Sequence, residues 1–365
     1  MKTKKVDLWI SCSSVLNAVE DGKVMKLANK LMGTGFRAMQ FDDDVVTKLH
    51  EKDTLMDYLA EIGCLVPDSY RCTSADDVER IINVSSVKDG DQDREAHSFI
   101  LKPIGVDDRA RAQMMTLLPF SSDKKTNLKP YLSSLNISIS RPFLLQQHIQ
   151  GSEYCSHSLV INGKVKAFVA CPSSGLLMDY EALPQDSVLN TKMLQFTQHI
   201  AEREGSGFSG HLGFDFIAQG EAENIKIYPI ECNPRAHTAV VLFNDTPAMA
   251  AQYLTCIDLQ ASHDIIFPRK PTSSYYWIGH DLVTLLLAPC LEFLCQEQDI
   301  KEVFKGFKIF WNHLIYWHEG TFDSSDPLPF LVLYHIYWPS QFLTCLFTGR
   351  KWSRINVSTT KIFEI

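Results

Sequence analysis

Apolar positions change period several times along this chain. Val6 to Ser11 alternates as a short strand, Leu16 to Leu31 repeats at helical spacing, and Phe36 to Phe41 alternates again. That order predicts a parallel, right-handed βαβ unit. Helical spacing resumes from Thr47 to Ile62 and stops at Gly63, after which Val66-Pro67-Asp68 reads as a strand entry. Ser74 to Asp77 predicts an N-cap for a helix over Val78 to Ile82, and the polar run Ser85 to His97 reads as a surface loop. From Ser98 onward period two dominates. Phe99 to Lys102, Phe143 to Ile149, Tyr154 to Ile161 and Val165 to Cys171 predict strands, the last two joined at Asn162-Gly163, a type I′ hairpin signature. A helix is expected over Asn190 to Glu204, then strands through Gly213–Ile217 and Ile225–Asn233, then a helix from Ala248 to Leu254. Strands and helices mixed in this order place the chain in the α+β class.

Beyond Pro271 the pattern becomes aromatic, with Tyr275, Tyr276, Trp277, Trp311, Trp317 and Trp338. Pro327 to Gly349 carries no formal charge, which raises the question of a membrane span. Pro329, His335, Pro339, Ser340 and Gln341 interrupt it, so buried or interfacial helices are expected, with peripheral membrane contact as the alternative use. The composition is that of a globular protein, 45% hydrophobic and 21% charged over 365 residues, enough for two or three subdomains. A net charge of -8 and the lack of a basic run interleaved with aromatics argue against nucleic-acid binding. The 10 cysteines form no CxxC pair and no zinc-spaced Cys/His cluster, and several fall in apolar strand patterns. Reduced thiols and a cytoplasmic location are therefore expected, and no signal peptide is evident.

The candidate chemistry sits at strand ends. Residues two apart on a strand share a face, so Glu231 and Asn233 point one way, and Ile230 and Cys232 the other. Asp215 alternates with Phe214 and Phe216 in the same manner. Paired, the two strands would gather Asp215, Glu231 and Asn233 into a hard-oxygen cluster suited to Mg²⁺. Arg235 lies two residues on, in reach of a phosphoryl group. Lys102 ends an apolar strand and opens a segment with Arg109 and Arg111, enough positive charge for a polyphosphate; the same segment also reads as a solvated charged loop. Lys52 starts a helix, where the dipole disfavours a cation unless an anion is present. Phe143 to Tyr154 runs from an apolar strand through Gly151 to Glu153. Its extended backbone could meet an adenine edge, and its carboxylate two ribose hydroxyls.

In this order these features resemble the ATP-grasp superfamily, in the branch that includes the ATP-binding domains of carbamoyl-phosphate synthase and D-alanine–D-alanine ligase. The resemblance runs from about Lys52 to Leu254, and Glu231-Cys232-Asn233-Pro234-Arg235 is its most specific piece. It implies an ATP-grasp fold, two α+β subdomains clasping ATP, preceded by a partial doubly wound α/β unit and followed by an aromatic-rich, mainly helical extension. The corresponding divisions are 1–46, 47–142, 143–260 and 261–365. By resemblance, Lys52 and Lys102 hold nucleotide phosphates, Gln146, Gln147, His148 and Ile149 form the adenine segment, and Glu153 binds ribose. Asp215, Glu231 and Asn233 would ligate Mg²⁺ or Mn²⁺, with Arg235 and Lys102 stabilising the transferring phosphoryl group. The implied activity joins a small-molecule carboxylate to an amine through an acyl phosphate.

The sequence departs from the family at two places. The segment Ile104 to Pro119 has one glycine where the family has a glycine-rich phosphate loop, and Arg109 and Arg111 can compensate or grip an acceptor carboxylate. The chain also begins partway through the doubly wound domain, which keeps a catalytically impaired nucleotide-binding or scaffold protein as the alternative. Ser173, Ser174 and Tyr180, on a stretch matching the substrate loop, are expected to face the acceptor, unless the stretch is a plain connection. His237 either orients substrate or is a satisfied core histidine. The C-terminal phrases resemble those of natural-product ATP-grasp ligases such as the mycosporine-glycine synthase type, implying secondary metabolism; an oligomer is compatible with the sequence.

Overall fold

The computed structural model describes residues 6–12, 18–32, 36–88, 98–104, 117–118, 128–173, 178–256 and 264–349. The expected βαβ unit is present: strand β1 (Leu8–Ile10), helix α1 (Ala18–Met32) and strand β2 (Arg37–Met39), the strands parallel with Trp9 opposite Ala38. The helix expected from Thr47 to Ile62 is instead two, α2 (Asp43–His50) and α3 (Lys52–Glu61). Glu51 between them is extended, at φ -73° and ψ 128°, which places Lys52 at a helix N-terminus.

Two antiparallel sheets follow. The first has the order β3-β6-β4-β5, from β3 (Ser69–Cys72), β4 (Phe99–Pro103), β5 (Leu117–Leu118) and β6 (Phe143–Gln147). Phe99, Leu101, Phe143 and Leu145 turn to one face, where they form a core with Val78 and Ile82 of α4 (Ala75–Lys88) and Leu132 and Leu135 of α5 (Leu128–Leu135). Helix α4 extends past the expected Ile82 and takes in part of the run read as a loop. Its start is a reciprocal cap. Ser74 Oγ accepts from the Asp77 amide at 3.2 Å, and Asp77 Oδ2 accepts from the Ser74 amide at 3.1 Å. Alternation sends Ile100, Lys102, Leu144 and Gln146 to the opposite face.

The second sheet has the order β10-β9-β7-β8, from β7 (Ser152–Ile161), β8 (Lys164–Pro172), β9 (Gly210–Gln219) and β10 (Lys226–Asn233). The β7–β8 turn is the expected hairpin, with φ of 50° at Asn162 and 71° at Gly163. One face carries Phe168, Phe214, Phe216 and Cys232, packed against Met193 and Ile200 of α6 (Val188–Glu204) and Leu49, Leu55 and Leu59 of α2 and α3. On the other face Cys155, Leu159, Val169 and Cys171 pack against Ala239, Leu242 and Phe243 of a 3₁₀ turn and against Tyr275, Trp277 and Cys345. The C-terminal region is helical, as expected, but it leaves Leu294, Phe304, Trp311, Tyr316, Leu346 and Phe347 exposed. Among the described residues no helix is long and apolar enough to cross a membrane.

Candidate active site

The register of the second sheet assembles the acidic cluster. Asp215 on β9 lies directly opposite Glu231 on β10, and Asn233 opposite Gly213. One detail departs from simple alternation. Tyr228 pairs with Ile217 and Pro229 with Phe216, but Glu231 pairs with Asp215, so Ile230 is an extra, bulged residue. Ile225, Ile227 and Cys232 all contribute to the aromatic core, and only the bulge reconciles the odd and even positions. Without it Glu231 would stand on the Phe214/Phe216 side. Ile230 was expected simply to share the face of Cys232; it is instead the residue that shifts the phase. The signal was Pro229, since a proline inside a strand marks an edge or a bulge, and β10 is an edge strand.

Around the carboxylates the side chains form a connected network. Asn233 Nδ2 donates to Asp215 Oδ2 at 3.2 Å, and Arg235 Nη2 donates to Asn233 Oδ1 at 3.0 Å. Lys52 Nζ is 3.8 Å from Glu231 Oε2. Burial, then Glu231 and Glu153, push the Asp215 carboxyl well above the usual carboxylate range, with Arg235 and the Asn233 bond opposing. Like charges directly opposite one another across a strand pair are unfavourable without a counter-ion. A divalent cation between Asp215 and Glu231 would relieve that repulsion, so the donor set fits Mg²⁺. Asn233 fits less directly, because its oxygen is held by Arg235 and its amide nitrogen faces Asp215. It braces the carboxylate in this arrangement.

The first sheet supplies the cation that faces this cluster. Lys102 Nζ donates to Gln146 Oε1 at 2.6 Å, and Gln146 Nε2 donates to Ser69 Oγ at 3.1 Å. Gln146, expected in the adenine segment, thus anchors the lysine: its parity on β6 puts it on the same face as Lys102, and it is buried. Burial, and next Lys52, lower the Lys102 amine to about 8, while Glu231, Glu153 and Asp215 pull it upward. Groups from both sheets therefore act on one ammonium.

The segment after β6 also differs from expectation. The Gln147 amide donates to Asp68 O and the His148 amide to Ser98 O, both at 2.7 Å. These two N–H groups extend the first sheet instead of offering donors to a base. Ile149 is buried, and the chain then turns at Gly151, where a Cβ would come 2.2 Å from Ala218 O. Only glycine lets the turn lie that close to β9. Glu153 follows on β7, raised by burial and lowered by Ser173 and Lys102. Ser173, expected at the acceptor, donates through Oγ to Glu153 Oε1 at 3.2 Å and through its amide to Glu153 O at 2.9 Å. Tyr180, also expected at the acceptor, joins an aromatic layer, edge-on to Trp277 at 5.6 Å and to His237 at 6.2 Å between centroids. Arg109, Arg111 and Ser174 lie outside the described residues.

His50 and Cys155 carry no clear site signal in the sequence, and His237 carries one that fits either a substrate-orienting or a core role. His50, at the end of α2, feels Glu231, Lys52 and Arg235, and burial lowers its imidazole. Cys155 and His237 each bring a ligating atom within 4.8 Å of Asp215 and of each other, so His237 belongs beside the carboxylates. Beneath it runs a buried chain. The His237 amide donates to His157 Nδ1 at 3.3 Å, His157 Nε2 lies 3.3 Å from His211 Nδ1, and His211 Nε2 lies 3.0 Å from Tyr253 Oη. Burial holds both rings neutral, His211 at about 4. His157 Nδ1 accepts, so its Nε2 must donate, and the tautomers are fixed along the chain.

No protein-family model matches the sequence, and no curated protein sequence matches it. Among solved structures, the chain is similar to N5-carboxyaminoimidazole synthetase from Staphylococcus aureus complexed with ADP, at 13% identity over 66% of this chain and 56% of that one, TM-score 0.43. It is similar to phosphoribosylamine–glycine ligase from Thermotoga maritima at 14% identity over 73% and 65%, TM-score 0.47. The ATP-grasp ligase PsnB, complexed with a minimal precursor, matches at 13% identity over 60% and 62%, TM-score 0.36. The chain thus spans between 56% and 65% of the length of these structures.

Proposed function

We propose that this chain is an ATP- and Mg²⁺-dependent carboxylate–amine ligase of the ATP-grasp type, acting through an acyl phosphate and serving secondary metabolism. The observation that carries the reading is the register that sets Asp215 opposite Glu231, with Lys52 Nζ 3.8 Å from Glu231 Oε2 and the Lys102 amine of the other sheet under the charge of both carboxylates. Lys52 and Arg235 complete the ring of charge. Lys102 and Lys52 would draw the β- and γ-phosphates between the sheets, and Glu153 would accept from the ribose hydroxyls. Asp215 and Glu231 would hold Mg²⁺, which when bound neutralises phosphate charge. Arg235 is aimed at the same place by Asn233 and would meet the oxygens of the transferring group.

In this reading the acceptor carboxylate oxygen bonds to the γ-phosphorus as the bond to the β-phosphate oxygen breaks, releasing ADP. The amine nitrogen then bonds to the acyl carbon, inorganic phosphate leaves, and the nitrogen gives up a proton. The protein's work is positioning and charge stabilisation, with no side-chain nucleophile.

Screening pairs of small carboxylates and amines for ADP release tests the proposal. Release should require both partners and vanish in Lys102→Ala and Glu231→Gln. Nucleotide binding with no release for any pair would favour the nucleotide-binding or scaffold alternative. The exposed Phe304, Trp311, Leu346 and Phe347 support peripheral membrane contact by the C-terminal region. Co-sedimentation with anionic vesicles should capture the chain, and full retention in the supernatant would count against that contact.

A further inference from the structure

Where the segment carrying Tyr180 meets the C-terminal helices, a second group of ligating side chains is buried. Asp179 directly precedes Tyr180, Asp281 ends the helical turn Ile278–Asp281, and His313 lies on the inner side of the helix Ile300–Tyr316. One donor atom from each lies within 4.8 Å of the other two. His313 Nδ1 is 2.7 Å from Asp281 Oδ2 and 3.9 Å from Asp179 Oδ1. Asp281 is 0% exposed and His313 4%. The His313 ring is fixed between Trp317, at 4.2 Å between centroids, and Tyr276, at 5.7 Å.

Hydrogen bonding and charge are both left incomplete here. Asp281 Oδ1 and Asp179 Oδ1 are sealed from solvent and, among the described residues, have no hydrogen-bond donor. Buried carboxylate oxygens are ordinarily paired, and leaving two without donors in one place is strongly unfavourable. Among the described residues, the charged groups acting on the two carboxylates are each other and His313, with no lysine or arginine. Ionised, the two carboxylates carry two negative charges beside a neutral imidazole and one net charge beside a protonated ring; burial, and next Asp281, push the Asp179 carboxyl up to about 7, so without an ion a proton relieves that charge.

We propose that Asp179, Asp281 and His313 bind a first-row divalent metal ion such as Zn²⁺. One imidazole nitrogen with two carboxylate oxygens is a donor set for Zn²⁺ or Mn²⁺, whereas Mg²⁺ and Ca²⁺ favour oxygen alone. Tetrahedral bonds of about 2.1 Å set donors about 3.4 Å apart, so Asp179 would close on His313 from 3.9 Å while Asp281 Oδ2 and His313 Nδ1 would open from 2.7 Å to admit the ion. Binding takes the place of the hydrogen on His313 Nδ1, which passes to solvent from the protonated ring and to Nε2 from the neutral one, and it uses the unpaired oxygens. The two carboxylates then balance the ion's charge. The ion staples the Asp179–Tyr180 segment to two C-terminal helices, and through Tyr180 it steadies the aromatic layer against His237. This site stands apart from the nucleotide reading and does not depend on it.

The full chain, stripped with chelator, would be titrated with Zn²⁺ in excess Mg²⁺. Wild type and Cys155→Ser should each take up one Zn²⁺ at the site. Asp179→Asn, on a half-buried segment, and Asp281→Asn should each weaken this uptake at least tenfold, with circular dichroism confirming the fold. Co²⁺ should give visible d–d absorption in wild type that is absent in His313→Ala. Wild-type uptake in a folded Asp179→Asn variant would overturn the proposal. So would no uptake by folded wild type, leaving His313 and Asp281 as a proton-holding pair, or loss only in Cys155→Ser, which would place the ion beside Asp215.

Discussion

Lys102 allows the phosphate-binding role to be tested with numbers. Burial, followed by Lys52, lowers its amine to about 8 in the nucleotide-free protein. The charged amine attracts a polyphosphate and the neutral amine does not, so affinity should follow protonation. At pH 7 about ten-elevenths of the molecules carry the charge, and at pH 9 about one-eleventh, so the apparent Kd should rise about tenfold, or about 1.4 kcal/mol. Folding stability runs the other way. The folded-state pKa lies below the ordinary 10.5, so the folded chain binds fewer protons, and this group's destabilisation, full at pH 7, is relieved as pH rises from about 8 to 10.5. Titration with a non-hydrolysable ATP analogue at pH 7, 8 and 9, at constant ionic strength, measures the affinity. Lys102→Arg keeps its charge throughout and should change less than twofold over the same range. Equal slopes in the two proteins, or a flat wild type, would refute the reasoning.

Two further predictions concern the scaffold. Gly163→Ala places a Cβ 2.6 Å from Gly205 O at a φ of 71°, and should lower stability by about 2 kcal/mol in urea unfolding, within the range for an incompatible glycine position; an unchanged midpoint would mean that the hairpin is not held as described. Deleting Ile230 removes the bulge and leaves Pro229 opposite Phe216 and Glu231 opposite Asp215 in unbroken alternation. Mg²⁺-linked ATP binding should survive in the folded deletion variant, and its loss would show that the bulged backbone itself, and not only the phase it sets, is needed.

Much of the scaffold was legible because its signals are local. The Asn162-Gly163 turn, the Ser74–Asp77 cap and the alternation of Phe214, Asp215 and Phe216 need only near neighbours to be read. The break at Glu51 carries no glycine or proline, and only packing of both helices against the second sheet fixes it. The cluster Asp215, Glu231 and Asn233 was also legible, but the direction of the Asn233 amide depends on Arg235, which no spacing rule supplies. Gln146, Ser173 and Tyr180, expected at ligands, also have protein partners in Lys102, Glu153 and Trp277, which their spacing does not disclose, since a polar residue at a strand end reads alike in either role. Cys155 and His237 reach Asp215 through strand register and a 3₁₀ turn, distances that the sequence does not encode locally.

The most direct test of the central claim is calorimetric titration of ATP with and without Mg²⁺, on wild type and Glu231→Gln. Wild type should bind at least tenfold more tightly with Mg²⁺, and Glu231→Gln should lose that difference while keeping its fold. Binding that ignores Mg²⁺ in wild type, or an unchanged Mg²⁺ effect in Glu231→Gln, would contradict the assignment of Asp215 and Glu231 as the metal-holding pair.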